Sequence, residues 1–383
     1  MKPTSEHSGN SNGEMVVTPW EVKGKVDYDR LVREFGTQPL TDELLKKIGE
    51  HTGALHLQLR RQIFFSHRDL DVVMRLYEAG TKFVLYTGRG PSGPVHIGHL
   101  VPWIFTRHLQ EKFGVRLYFQ MTDDEKFLVD DEASLAETRK YAYENALDLI
   151  AVGFKPEDTF IIYDVEDMDL LYDVTLEVAK RITYSTARAT FGFQESTNIG
   201  WVFWPAIQAA PCFIHKKLTG ENAPALIPAA IDQDPYWRVT RDIAQKLGYY
   251  KPAQIHCRFL PGLGAGGKMS ASMPETSIFT MDQPEVVKKK VWNAFTGGKG
   301  TAAEQRKTGG DPNVCSIFQY YFYLFEGDDA KLAERERRCR AGEILCGECK
   351  ADLVDKLNRF LGEHQKRREK AKDVIEQFHI KRK

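Results

Sequence analysis

The chain contains no apolar run approaching the roughly 18 residues that a membrane-spanning helix needs, and no charged-then-apolar leader at its start. A membrane-embedded or exported protein is therefore not expected, and the composition reads as cytoplasmic. Cysteine is scarce, with six in 383 residues and no dense spacing. That excludes a small disulfide-stapled scaffold and fits a reducing compartment. Net charge is also missing, since Lys+Arg 53 balance Asp+Glu 53. That sum by itself argues neither for nor against an acidic partner. Internal repeats and long low-complexity tracts are absent as well, which leaves out solenoids and fibrous assemblies.

What is present is enough apolar material, 42% of residues, to bury a large core over two or three domains. Charge is zero in sum but not in distribution. From Lys331 to Lys383 there are 16 Lys/Arg against 10 Asp/Glu, a net of +6. This end is a candidate RNA- or membrane-facing surface, although a surplus of this size is more often a solvated helix face. The densest basic run is "HQKRREKAK". Cys346 and Cys349 form a CxxC with Cys339 seven residues upstream. A structural zinc site usually takes four ligands from two such pairs, and the remaining candidates are distant single residues, so no metal is expected.

Organisation follows from periodicity. Residues 1–15 read as a disordered polar tail. Residues 16–81 read as a hairpin from "VVTPWEV" and "KVDYDRL", followed by helices that end near Gly36 and begin at an N-cap Thr41. Residues 82–282 alternate short apolar strands ("KFVLYT", "VRLYFQMT", "TFIIYD", "ALIPAAI", "QIHCRFL") with helices ("HLVPWIFTRHLQEKF", "LAETRKYAYENALDLIAVG", "DPYWRVTRDIAQKLG"). That alternation predicts an α/β, Rossmann-type parallel sheet whose ligands sit at the carboxyl ends of its strands. Residues 283–383 hold no convincing strand and are expected to form an all-helical domain.

Two segments carry chemistry. In "YTGRGPSGPVHIGHLVPW" a strand meets a glycine-rich turn and then a helix start, where backbone N–H groups and the helix dipole favour an anion. His96 and His99 are three apart on the first turn, so both imidazoles lie on one face and can reach the same phosphate oxygens. Gly98 between them leaves room for a flat ring against the backbone. Alone, this spacing would be a turn with two surface histidines; the strand, glycines and helix start favour the functional reading. In "GLGAGGKMSASMPETSIF", Lys268 lies in a small-residue loop with Ser270 and Ser272. Such a loop can close over polyphosphate with the lysine as a point charge.

"HIGH" at 96–99 and "KMSAS" at 268–272, in this order, resemble the two hallmark motifs of class I aminoacyl-tRNA synthetases. With "YTGRGPS", "QMTDDEK", "FWPAIQAAP" and "AIDQDPYWRVTRD", the chain resembles the eukaryotic and archaeal tryptophanyl-tRNA synthetases along nearly its whole length. It departs in having none of the extra N-terminal helical module that some eukaryotic members carry, and in carrying Cys346 and Cys349. The resemblance implies ATP-dependent joining of L-tryptophan to its tRNA through a tryptophanyl-adenylate, with Mg²⁺ arriving on ATP and no resident cofactor.

The resemblance also implies site residues. His96, His99 and Lys268 would stabilise the reacting phosphates, with Arg89, Gly98, Lys126, Met269, Ser270 and Ser272 contacting ATP. Indole offers a single N–H donor, so its pocket must present acceptors in an apolar box. Tyr86 and Gln120 are expected there, with Glu125, Gln208 and Gln233 holding the α-amino group. A homodimer, a hairpin folded over the site and an anticodon-binding C-terminal region are expected in the same way. The rivals are a tyrosyl-tRNA synthetase, which would pair a tyrosine with an aspartate at a phenol hydroxyl, a small nucleotidyltransferase, which would lack "KMSAS", and a non-catalytic RNA-binding or signalling protein on the same scaffold.

Overall fold

The computed structural model describes residues 16–17, 22–23 and 26–380. The expected tail, residues 1–15, lies outside the described residues. Strand β1, Val16–Val17, pairs antiparallel with β2, Val22–Lys23. The remaining strands are β3 (Gln38–Pro39), β4 (Phe64–Arg68), β5 (Val84–Arg89), β6 (Leu117–Met121), β7 (Thr159–Tyr163), β8 (Ala225–Ala230) and β9 (Ala253–Cys257). These seven form one sheet in the order β3-β4-β9-β8-β5-β6-β7. From β9 to β7 every neighbouring pair is parallel.

Topology fixes where a ligand can sit. From β5 the chain winds outward through β6 to β7, then returns to place β8 on the other flank of β5. The reversal opens a crevice at the carboxyl ends of β5 and β8, the place where open α/β sheets bind ligands. All five expected parallel strands are present. Two further strands, β3 and β4, come from the N-terminal segment and join the sheet antiparallel. The β4 sequence "FFSHR" gives little strand signal because Ser66, His67 and Arg68 are polar. They are held by tertiary partners: Ser66 Oγ lies 3.0 Å from His256 Nδ1, and Arg68 pairs with the buried Asp234.

Local signals start and stop the helices. Helix α1, Tyr28–Phe35, is capped by Asp27 and ends at Gly36, whose φ of 63° suits glycine. In α2, Asp42–Thr52, the Thr41 hydroxyl accepts from Leu44 N at 3.2 Å. Helix α3, Ile97–Phe113, follows β5. Helix α4, Asp123–Val129, follows β6, and α5, Leu135–Val152, opens on a Ser134–Glu137 capping box. Helices α6 (Ile199–Ala209) and α7 (Asp234–Ala244) flank β8 in sequence. Beyond the last strand come α8 (Pro284–Trp292), α9 (Asp329–Arg340) and the long α10 (Cys346–Ala371).

Alternate strand residues feed two cores, as the period of a strand requires. Leu85, Leu117, Phe119 and Ile161 pack with α3 and α5 and with the C-terminal helices on one face. Val84, Tyr86, Tyr118 and Ile162 pack with α6 and α7 on the other. The basic run "HQKRREKAK" divides accordingly. His364 and Arg368 are buried against α5, where His364 Nε2 lies 2.9 Å from Asp148 and Arg368 pairs with Asp148 and Glu144. Lys366, Arg367, Lys370 and Lys372 face outward.

Candidate active site

The β5 strand ends at Arg89, and the chain turns through "GPSGPV" to the start of α3. Gly90 leaves room there for Lys126 and Glu125, whose side-chain ends a Cβ would meet. His96 caps α3 in an extended conformation, and its backbone N–H donates to His99 Nδ1 at 3.2 Å. The two imidazoles stack with centroids 3.6 Å apart. Gly98 is held small by His96 itself, since a Cβ would come 3.0 Å from its Nδ1.

The second motif lies against the first. Ile97 N donates to Ile278 O at 2.9 Å, and His96 bridges Phe279, so the segment after "KMSAS" is stitched to the first turn of α3. Met269 is buried, with its N–H donating to Leu260 O at 3.0 Å, and acts as the loop's anchor. The Ser270 and Ser272 hydroxyls lie 2.9 Å apart. Gly266 and Gly267 carry φ of 76° and 80° just before Lys268, a turn that a side chain would strain. Lys268 Nζ reaches Asp232 Oδ2 at 3.4 Å, at the end of β8.

Burial, with Arg89 and Lys268 adding repulsion, pushes His96 down to about 3, and the same causes push His99 well below its ordinary value. Both rings are therefore neutral at pH 7. Burial lowers Arg89 to about 10, against the attraction of Glu125 and Asp148. Arg89 Nε donates to Asn145 Oδ1 at 3.1 Å. Burial raises Asp232, although Lys268 works the other way. His96 Nδ1, Arg89 Nη2 and Asp232 Oδ1 are all buried without a hydrogen-bond partner. Three such atoms in one crevice mark a place where a polar, anionic ligand belongs.

A second group lies beside it, under the carboxyl ends of β5 and β6. Register places Tyr86 opposite Tyr118 and Gly88 opposite Gln120. The Tyr86 hydroxyl lies 2.5 Å from Gln120 Oε1 and 2.9 Å from the Gln208 carbonyl oxygen, and donates its one proton to either. Gln120 Nε2 donates to both carboxylate oxygens of Asp164, at 2.8 and 2.9 Å. This fixes the amide with its oxygen turned toward Tyr86. Trp204, Tyr236 and Trp237 supply apolar walls on this side of the sheet. Nearby, Thr122 Oγ1 donates to Glu125 Oε2 at 2.9 Å, and Lys126 Nζ pairs with Glu125 Oε1 at 2.9 Å. The Gln208 side chain is buried, and Gln233 stands at the N-cap of α7 against Asp232.

Asp164, Asp124 and Asp232 are site residues that sequence reasoning missed. Asp164 is fully buried, and burial first and the Asp124 carboxyl second raise it well above the usual range. Burial pushes Asp124 up to about 6, and its Oδ1 accepts from Trp204 Nε1 at 3.2 Å. The sequence signal was available: "IIYD" ends a buried strand on an acid, just where parallel sheets place ligand-facing groups.

A strand-order switch at β5/β8, bordered by "HIGH" and "KMSAS" segments that lie against one another, is the arrangement of a class I tRNA synthetase. The family described as "tRNA synthetases class I (W and Y)" matches residues 78–362. The tryptophan–tRNA ligase of Thermococcus sibiricus is 56% identical over 368 residues, covering 95% of this chain and 94% of that one. The tryptophan–tRNA ligase of Pyrobaculum aerophilum is 50% identical, covering 96% and 98%. The crystal structure of Plasmodium falciparum tryptophanyl-tRNA synthetase superposes with a TM-score of 0.87 at 39% identity, covering 93% of this chain and 98% of that chain. The chain belongs to the tryptophanyl-tRNA synthetase family.

Proposed function

We propose that the chain joins L-tryptophan to its cognate tRNA in two steps, forming tryptophanyl-adenylate and pyrophosphate from ATP and then transferring the tryptophanyl group to the terminal ribose. The observation that carries this reading is the meeting of a phosphate-ready crevice with the Tyr86–Gln120–Asp164 chain at neighbouring strand ends. The substrate carboxylate is itself the nucleophile, so no protein nucleophile is required, and catalysis is positioning with charge stabilisation.

At the nucleotide end, His96 and His99 are neutral hydrogen-bonding rings, and Lys268 leaves Asp232 to meet the β- and γ-phosphates. The loop around Lys268 is the part that moves. Arg89 offers an unpartnered N–H, Ser270 and Ser272 offer hydroxyls, and Lys126 is a further cation at the edge. Gly98 and the buried Met269 set the shape of that wall. Mg²⁺ carried on the ATP phosphates would add positive charge beside Lys268.

At the amino-acid end, Gln120 Oε1 and the Tyr86 oxygen accept the indole N–H. Asp164 acts through Gln120: by occupying the amide N–H groups it keeps an acceptor turned toward the indole. A phenol hydroxyl can donate too, so rejection of tyrosine must come from the shape of the aromatic box and the loss of an N–H at the indole position. Glu125 takes the substrate ammonium, which displaces Lys126, with Gln208 and Gln233 beside it.

Residues 283–383 bind the tRNA, with the outward-facing Lys366, Arg367, Lys370 and Lys372 among its phosphate contacts. A cytoplasmic homodimer, and a hairpin at 16–23 that covers the site, complete the proposal. The test is exchange of pyrophosphate into ATP with each of the twenty amino acids in turn. Exchange with tryptophan alone is expected. Exchange with tyrosine would overturn the indole assignment, and no exchange at all would favour the non-catalytic scaffold.

A further inference from the structure

Four of the six cysteines meet in one place. Cys315 immediately precedes the short helix Ser316–Tyr320, Cys339 lies in the last turn of α9, and Cys346 and Cys349 stand three apart on the first turn of α10. All four line a single void of 20 Å³, walled otherwise by groups such as Gln305, Ile317, Tyr321, Arg335 and Ile344. The other two, Cys212 and Cys257, are buried elsewhere, and all six are free thiols. The CxxC has thus found two more cysteines, from positions too distant in sequence for spacing to reveal.

The geometry does not favour a single ion. Four thiolates on zinc would lie about 2.3 Å from its centre, and a water-sized void could not survive among them. Among the described residues, no three histidine, cysteine or acidic side chains group as one metal ion would require. The four cysteines instead line one shared void, and a polynuclear group takes one thiolate per iron around its own volume.

Charge points to an occupant that is negative once ligated. The N-terminus of α10, 26 residues long, faces Cys346 and Cys349. Arg335 donates to Cys349 Sγ at 3.6 Å while its other branch holds Asp352 at 2.8 Å. Backbone also crowds the sulfurs: a Cβ on Gly298 would meet Cys346 Sγ at 2.5 Å, and one on Gly310 would meet Cys339 Sγ at 3.0 Å. Burial first, and then the neighbouring thiols, push Cys339 up to about 11.

We propose that Cys315, Cys339, Cys346 and Cys349 hold an iron–sulfur cluster, one thiolate to each of four irons. Loading is a ligand exchange without redox change. Each protein thiol forms an Fe–S bond as one carrier thiolate leaves its iron, and the proton lost by the cysteine passes to the departing thiolate. The bound cluster ties the start of α10 to the end of α9 and to the segment ahead of Ser316, within the helices assigned to tRNA.

The test is to incubate the purified full chain, anaerobically, with a synthetic [4Fe–4S] cluster ligated by small thiols, desalt it, and measure iron, acid-labile sulfide and the visible charge-transfer band. Four irons and four sulfides per chain are expected. Cys346→Ser/Cys349→Ser should lose both, and Cys212→Ser should keep both. A wild-type chain that retains no iron, or that takes up zinc with no sulfide, overturns the proposal. So does a Cys346→Ser/Cys349→Ser variant that still binds the cluster. Because the first readout is on the wild-type chain, a misfolded variant does not leave the question open.

Discussion

The two ends of the crevice are built on opposite plans. At the indole end, Tyr86, Gln120 and Asp164 satisfy one another through bonds of 2.5 to 2.9 Å before any substrate arrives. At the phosphate end, His96, Arg89 and Asp232 each keep a buried polar atom unpartnered, and Lys268 is parked on Asp232. Selection benefits from a rigid, pre-satisfied acceptor, because a wrong donor pattern then has nothing to rearrange. Acceleration benefits from groups whose best interactions exist only when charge develops on the phosphates.

The largest effect should come from the phosphate end. Lys268→Ala is expected to lower the rate of pyrophosphate exchange by about 10²- to 10³-fold, the usual scale for one charge-stabilising group, with little change in the Michaelis constant for tryptophan. A variant that weakened tryptophan as much as it slowed exchange would erase the distinction between the ends. Next in size, Asp164→Asn should raise the Michaelis constant for tryptophan about tenfold or more, since it replaces one of the two oxygens that accept from the Gln120 amide with an N–H donor and frees that amide to turn. ATP parameters should hold. Gln120→Ala should act in the same direction, and equal effects on tryptophan and ATP would count against the indole role of both residues.

Legibility in the sequence divides along a similar line. The five parallel strands and the helices that alternate with them were readable because each is a local apolar period. "HIGH" and "KMSAS" were readable as a pair: a strand-to-helix junction followed in order by a lysine in a small-residue loop, which together resemble a known family's motifs. What escaped was whatever depends on a partner far along the chain. Strand β4 looks polar until His256 and Asp234 are placed against it. Asp164 looks like a strand-end acid until Gln120 is seen across the β6/β7 register. His364 and Arg368 belonged, in the sequence, to a run divided between solvent and RNA, yet Asp148 claims both. Cys315 carried no signal at all.

The smallest effect is a pH dependence that tests whether the phosphate end is held in wait. His96 titrates near 3 in the folded chain because it is buried beside Arg89 and Lys268, whereas an unfolded histidine titrates near 6.5. As pH falls below about 6.5, the unfolded chain takes up a proton that the folded chain refuses, so stability is complete above that pH and drains away toward 3. His56 and His256, each pushed down to about 4 chiefly by burial, steepen the same limb. Replacing His96 with Asn should flatten part of it in denaturant midpoints measured between about pH 7.5 and 5. Sulfate, whose own charge is constant over that range, should restore wild-type stability more at the low end, because an anion beside His96 raises its pKa and binds more tightly when it is protonated. Parallel midpoints in the two proteins, with and without sulfate, would mean that the imidazole is only packing, and the contrast between the two ends would then rest on Arg89, Asp232 and Lys268 alone.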